Sequence, residues 1–384
     1  MKVDSPGMLD LIVTLLLALG QWRFAVLVVR RSSNRRAAVL GMLAWETVVA
    51  AGYFCSNSEL ISRQRVSGAA IYGAIAFCYL LTTGCAAALY SLWQPLYSHL
   101  QAGTSESRRR ALQLAGEALI AAPFVAVGYG VAIERTRFEV REVEMPVPGL
   151  AGDLDGLRML QMSDIHLSAF LSEREFARMV DAACELRPHI AFATGDFIST
   201  FGDPLEACIR QLARLKSDAG IFGCLGNHER YAHAEDEASE LAKRAGIRIL
   251  RGESQELKFG GARLNLAGVD YESIFDKKEY LRGAEGLVRP DAFNLLLSHN
   301  PDVFPVAASQ GYQLTIGGHT HGGQVTVEIL NQSVNPARVL TPYVRGHYQL
   351  GGSSLYVTRG IGTVGLPARV GAPPEITLLR LRKA

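Results

Sequence analysis

The sequence predicts two parts of different class: an all-α membrane bundle of four helices, then an α/β domain built largely of βαβ units. Three observations carry this. Residues 1–134 hold four apolar stretches long enough to cross a bilayer. From Gly156 onward, short apolar runs alternate with helical segments. The charge divides at the same place: residues 1–150 hold 14 basic and 10 acidic side chains, and residues 151–384 hold 25 and 27, so the parts are +4 and −2. The whole chain of 384 residues is 48% hydrophobic with a net charge of +2, which excludes a disordered chain and gives no reason to expect a nucleic-acid partner.

The expected spans are Leu11–Val29, Ala37–Phe54, Ala69–Tyr90 and Ala111–Ile133, each 18 to 23 residues long. At 1.5 Å per residue these lengths match a hydrocarbon core of about 30 Å. Arg30, Arg31, Arg35 and Arg36 lie between the first two spans, and Arg108, Arg109 and Arg110 between the last two. The positive-inside rule puts both loops in the cytoplasm and both termini outside. The expectation is a multi-pass inner-membrane protein with an extracytoplasmic second part. Ser107-Arg108-Arg109-Arg110 before an apolar span is similar to a twin-arginine export signal, and reads equally as a solvated basic loop. Glu46, in mid-span, is expected to be hydrogen-bonded between helices. Residues 1–134 are the expected membrane domain, 135–150 a charged linker, and 151–384 the second domain. The six cysteines have no metal or redox spacing and are expected as free thiols.

In the second part, apolar runs at Leu157–Met162, His189–Thr194, Gly220–Leu225, Arg263–Val269, Phe293–Ser298 and Tyr312–Ile316 read as strands. Ser354–Thr358 and Glu375–Leu381 close the chain as strands. Helices are expected at Ser172–Leu186, with Ser172 as N-cap and Glu175 completing a capping box, near Pro204–Lys216, and at Glu235–Ala245. Such alternation means parallel pairing with helices on the sheet faces, and ligands then bind beyond the carboxyl ends of the strands.

Polar clusters stand at those ends. Asp164 and His166 follow the first run, Asp196 the second, Asn227 the third, His299 the fifth, and His319 and His321 the sixth. All seven are oxygen or imidazole donors. The i, i+2 pairs Asp164/His166 and His319/His321 would share a side on extended backbone. Seven ligands exceed one tetrahedral zinc and suit two adjacent divalent ions with one carboxylate between them. The absence of thiolate favours Mn, Fe or Zn.

Asp164-Ile165-His166, Gly195-Asp196, Gly226-Asn227-His228-Glu229, His299 and Gly318-His319-Thr320-His321 resemble the signature blocks of the calcineurin-like metallophosphoesterases. Ser298-His299-Asn300-Pro301-Asp302 and the Gly322-Gly323-Gln324 that follows His321 are similar to the membrane-associated bacterial subgroup. The resemblance implies a two-sheet sandwich and a phosphoester hydrolase. It implies one ion on Asp164, His166, Asp196 and His321, and a second on Asp196, Asn227, His299 and His319. It also implies a catalytic role for His228 without a metal contact. Where the family often has Asp after this histidine, the chain has Glu229.

The expected substrate is a phosphate mono- or diester, lipid-linked or from the cell envelope. Two alternatives stand beside it. One is pyrophosphate hydrolysis of a UDP-2,3-diacylglucosamine type in lipid A metabolism, which needs a cytoplasmic site. The other is a non-catalytic membrane sensor of phosphate ligands. Tyr343, Arg345, His347, Arg359 and Arg369 lie in Gly-rich segments where an arginine could grip a second phosphate or an anionic headgroup; surface ion pairing is the favoured reading, and they are not taken as site residues.

Overall fold

The computed structural model describes residues 7–56, 68–329 and 332–384. It divides into two compact units, 1–131 and 132–384.

In the first unit, α1 (Gly7–Arg31), α2 (Arg35–Ser56), α3 (Ala69–Leu100) and α4 (Glu106–Ala132) are long and apolar enough to cross a membrane. Their outer faces are apolar as well. Trp22 is 71% exposed, Leu40 68% and Val125 68%. A water-soluble bundle would bury such groups, whereas lipid tolerates them. Helix contacts use small and polar residues instead. A Cβ on Gly20 would lie only 2.9 Å from Gly84 Cα, so this crossing of α1 and α3 needs glycine. Gln21 Nε2 donates to Leu80 O and Thr83 Oγ1, both at 2.8 Å. Arg23 donates to Ser91 Oγ at 2.7 Å, which gives this charge a polar partner inside the first span. Glu46 accepts from Tyr79 Oη at 3.2 Å, tying α2 to α3. Lys2, Arg63 and Arg65, the basic residues before the first span and between the second and third, lie outside the described residues.

The second unit opens where a linker was expected. Residues Glu139–Val147 are instead β1, an edge strand parallel to β14 (Glu375–Lys383). The physical reason is period-2 alternation hidden among charges. Met145 and Val147 turn into the core, at 0% and 2% exposure, while Glu142 and Glu144 face Arg380 and Arg382 across the pair.

Two six-stranded sheets follow. With β2 (Arg158–Met162), β3 (Ile190–Thr194), β4 (Ile221–Cys224) and β5 (Ile247–Ile249), the first runs β1-β14-β2-β3-β4-β5. The second contains β6 (Glu253–Phe259), β7 (Ala262–Gly268), β8 (Phe293–Leu297), β9 (Leu314–Gly317), β12 (Gly346–Leu350) and β13 (Ser353–Val357), ordered β12-β13-β9-β8-β7-β6. A small hairpin, β10 (Val327–Ile329) and β11 (Gln332–Val334), stands apart. The central strands β2–β5 and β7–β9 pair in parallel, so their carboxyl ends lie along one edge of each sheet.

Between the sheets lies a core of Met159, Phe192, Phe222, Leu264, Leu295 and Leu379 with their neighbours. Helices α5 (Glu173–Glu185), α6 (Leu205–Leu212) and α8 (Glu235–Arg244) cover the outer face of the first sheet. Short helices α7 (Asn227–Tyr231) and α9 (Phe304–Gln310) complete the domain. The capping box at α5 forms: Ser172 Oγ accepts from Glu175 N at 3.2 Å, and Glu175 accepts from Ser172 N at 2.9 Å. The described cysteines are free thiols.

Because β1 shields the β14 edge, the domain should start no later than residue 138, and not at 151. A fragment starting at 138 should unfold cooperatively in a thermal scan. One starting at 151 should melt several degrees lower and aggregate.

Candidate metal centre

The seven predicted ligands converge at the carboxyl ends of β2, β3, β4, β8 and β9. Donor atoms of Asp164, His166, Asp196 and His321 all lie within 4.8 Å of one another, and so do those of Asp196, His299 and His319. Asp196 belongs to both groups. His166 Nε2 is 3.4 Å and His299 Nε2 3.1 Å from Asp196 Oδ2. Asn227 Oδ1 lies 2.8 Å from His319 Nδ1, which places the amide at the second group.

The backbone that presents these groups is not extended. Asp164, His166, Asp196, His319 and His321 all have positive φ, from 48° to 73°. The i, i+2 argument therefore reaches its outcome by another route. Asp164 and His166 do join one group, but His319 and His321 fall into different ones. Each positive φ costs free energy for a residue with a Cβ, and such strain concentrates at sites that the surrounding structure over-determines. Part of the restraint is steric. A Cβ on Gly226 would sit 2.2 Å from Asp196 Oδ1, and one on Gly318 2.3 Å from Asp164 Oδ2, so only glycine lets these loops touch.

Glu229 supplies further restraint. Its carboxylate accepts from the backbone N–H groups of Asp196 at 2.9 Å, Phe197 at 2.7 Å and Gly226 at 2.8 Å. One side chain thus clamps the β3 and β4 loops together. The glutamate side chain reaches both loops. Burial raises its pKa to about 6, the Asp196 charge adds to this, and the N–H donors oppose it.

The ring nitrogens are set by what they touch. His299 Nδ1 lies 2.7 Å from Thr194 O, and a carbonyl can only accept, so Nδ1 carries the hydrogen and Nε2 faces the centre. His228 Nδ1 lies 2.6 Å from Ser199 O, by the same logic leaving Nε2 as its free basic atom. Its ring stands edge-on to His166 at 4.6 Å, outside both donor groups. Ser199 Oγ also lies 3.1 Å from His166 Nδ1.

Charge is distributed to suit cations. Burial lowers the pKa of His166 to about 4 and of His319 to about 3, and drives His321 well down too. These three imidazoles stay neutral, with lone pairs available. Burial would lower His299 as well, but the charges of Asp196 and Asp164 lift it to about 10. Burial works to raise Asp196, yet His299 and His228 hold it well below the usual carboxylate range. Burial raises Asp164 to about 6, against the pull of His299.

These donors fit divalent metal. Asp164 Oδ2 and His299 Nε2 are fully buried without an aligned hydrogen-bond partner, although His299 Nε2 is near Asp196. His166 Nε2 and His321 Nε2 face each other at 3.1 Å, two neutral nitrogens that a shared cation would reconcile.

Three contributors escaped sequence reasoning. Arg369, read as a surface residue, is 0% exposed and donates to the carbonyls of Gly362, Arg359 and Ala372. Its Nη2 lies 3.4 Å from His321 Nδ1, behind the ligand. Arg359 is also buried, joined to Glu375 at 2.6 Å and Glu139 at 2.9 Å. Tyr271 packs its ring 5.5 Å from that of His319 and 6.1 Å from that of His299. The strand-end rule could have found Tyr271, just past β7. Nothing local marks the arginines, because their burial depends on distant strands.

If Glu229 is the clamp, Glu229→Ala should weaken divalent-metal binding by about 10–100-fold while the fold persists. Metal titration by calorimetry, with circular dichroism as control, checks this.

Comparison with known proteins agrees with the geometry. Residues 157–347 match the family described as calcineurin-like phosphoesterase. An uncharacterized Bacillus subtilis metallophosphoesterase, YkuE, is 29% identical over 283 residues, covering 72% of this chain and 98% of that protein. The Danio rerio transmembrane protein with metallophosphoesterase domain is 28% identical over 407 residues, covering 97% of this chain and 89% of its own. Escherichia coli phosphodiesterase YaeI is 29% identical over 238 residues, covering 58% of this chain and 82% of its own. A motif set at strand ends, a two-sheet fold, a cluster of metal donors and this family match agree: the chain carries a calcineurin-like metallophosphoesterase domain, a hydrolase of ester bonds, behind four membrane-type helices.

Proposed function

We propose that the domain hydrolyses a phosphate ester at two divalent ions, and that its substrates are diesters seated in or on the membrane. The observation that carries the reading is the sharing of Asp196 between two donor groups. Asp164, His166, Asp196 and His321 would hold one ion; Asp196, Asn227, His299 and His319 the other. When bound, the ions supply positive charge for the phosphoryl oxygens and make water more acidic.

The chain's own groups do the rest. Asp196 fixes the spacing of the two donor groups, because both depend on its one carboxylate. His228 N donates to Asp196 Oδ1 at 2.9 Å, so the strand-end turn locks ligand and histidine in one unit. With Nδ1–H committed to Ser199 O, His228 can hold a proton at Nε2 and deliver it to a departing alkoxide. Tyr271 walls the second donor group and keeps water from its apolar side.

A diester is favoured by the name of the phosphodiesterase relative YaeI. A membrane-seated substrate is favoured by the four apolar helices and by the short join. The six residues 133–138 between α4 and β1 span at most about 20 Å. The arginine loops favour the extracytoplasmic side of the inner membrane for the domain.

Purified full-length protein should hydrolyse bis-p-nitrophenyl phosphate with Mn²⁺ and lose the activity on chelation. Failure with Mn²⁺, Fe²⁺ and Zn²⁺ alike would refute the reading. Asp196→Ala should lose bound metal and turnover together. His228→Ala should keep its metal and lose about 10²–10⁴-fold in turnover on an alkyl ester, with a smaller loss on the p-nitrophenyl ester. Equal losses on both esters would remove the acid role.

A further inference from the structure

From Glu139 onward, seven large apolar side chains among the described residues are substantially exposed. Five of them sit on loops or at the last residues of short helices around the metal centre: Phe201 at 47%, Tyr231 at 58%, Phe275 at 67%, Val339 at 86% and Leu340 at 42%. Only Val140 and Leu350 lie elsewhere. A random scatter of surface hydrophobics would not favour one rim so strongly.

Contacts to the centre fix each loop. Phe201 comes two residues after Ser199, whose carbonyl accepts from His228. Tyr231 stacks edge-on to His228 at 5.7 Å. Phe275 follows Tyr271, which packs on His319. The segment holding Val339 and Leu340 is strapped at both ends. Asn335 Nδ2 donates to Gly322 O at 2.8 Å, and Thr320 Oγ1, between the ligands His319 and His321, donates to Val344 O at 2.5 Å. Thr341 also donates to Asp302, whose other carboxylate oxygen lies 3.7 Å from Lys277 Nζ on the Phe275 loop. The two most exposed apolar segments are thus joined through one aspartate.

The same loops are basic. Arg230, Lys277, Lys278, Arg282 and Arg338 are exposed there, against the exposed acids Asp270, Asp276 and Glu279. Arg282 pairs with Glu279 at 2.9 Å, Asp270 with Arg251 at 2.9 Å, and Lys277 lies beside Asp302, so the surplus rests on Arg230, Lys278 and Arg338 over Asp276. Apolar side chains set among surplus cations match an anionic lipid interface: the first enter the acyl boundary and the second meet the headgroups.

We propose that this apolar and basic rim seats in the surface of an anionic bilayer, so that the centre opens directly onto phosphoesters held in the membrane. The seating stands on the rim itself; only its consequence for substrate choice rests on the phosphoesterase reading.

The test uses the full-length protein in detergent and in nanodiscs of phosphatidylcholine, with and without phosphatidylglycerol. Hydrogen–deuterium exchange is followed in peptides covering 270–282 and 337–342. Slower exchange in the anionic discs than in detergent is expected. The double variant Phe275→Ser/Val339→Ser should lose this protection. It should also lose about tenfold in turnover of a diacyl p-nitrophenyl phosphodiester carried in the disc, while cleavage of soluble bis-p-nitrophenyl phosphate is unchanged. Equal exchange in discs and detergent would overturn the proposal. So would protection in detergent that grows with protein concentration, because a second copy would then cover the rim. Equal loss on both esters would also overturn it. Should the unmutated protein cleave neither ester, the phosphoesterase reading fails, and the exchange data still decide the seating.

Discussion

Charge buried away from water is the constraint on which this domain is built. Asp164, His166 and His299 are 0% exposed, Asp196 1% and His321 4%. Carboxylates and imidazoles at such density are costly without compensating positive charge. One proton on His299 meets part of that need beside Asp196. Two cations would meet all of it, and the neutral state of the remaining histidines leaves their lone pairs ready. The rest of the domain follows from holding these groups together. Left-handed backbone at five ligands, glycines that admit carboxylates at contact distance, and a glutamate clamping two loops all serve that end.

The two sheets divide the work. The first, through β2, β3 and β4, delivers the acids, the amide and His166. The second, through β8 and β9, delivers the remaining imidazoles. Sandwiching the sheets over one apolar core brings residues some 155 positions apart to hydrogen-bond distance, as with His319 N and Asp164 Oδ1 at 2.8 Å. The late segment carrying Arg359 and Arg369 then closes the back of the site. Arg369 places a fixed positive charge behind His321, and Arg359 ties that segment to the edge strand through Glu139. The edge strand is therefore part of what supports the centre, although it lies far from it in sequence.

Much of this was legible in the sequence, for identifiable reasons. Apolar length alone marked the four helices, because a bilayer demands it. The parallel strands were legible as short apolar runs, and the metal donors as polar residues where those runs stop. Ser172 and Glu175 announced their helix by local chemistry. What stayed hidden was set by tertiary context. The alternation in Glu139–Val147 was masked by charges that pair with Arg380 and Arg382 on a neighbouring strand. Extended geometry was the natural expectation for Asp164/His166 and His319/His321, yet the strands end just before them and the turns bend left-handed. Arg369 looked like a surface residue because nothing near it in sequence supplies the carbonyls that satisfy it.

The most direct test of the central claim is anomalous diffraction from crystals of the protein loaded with Mn²⁺ or Zn²⁺. Two peaks per chain are expected, one among Asp164, His166, Asp196 and His321, the other among Asp196, Asn227, His299 and His319, with Asp196 contacting both. A single peak in catalytically active crystals, or peaks away from Asp196, would contradict the account.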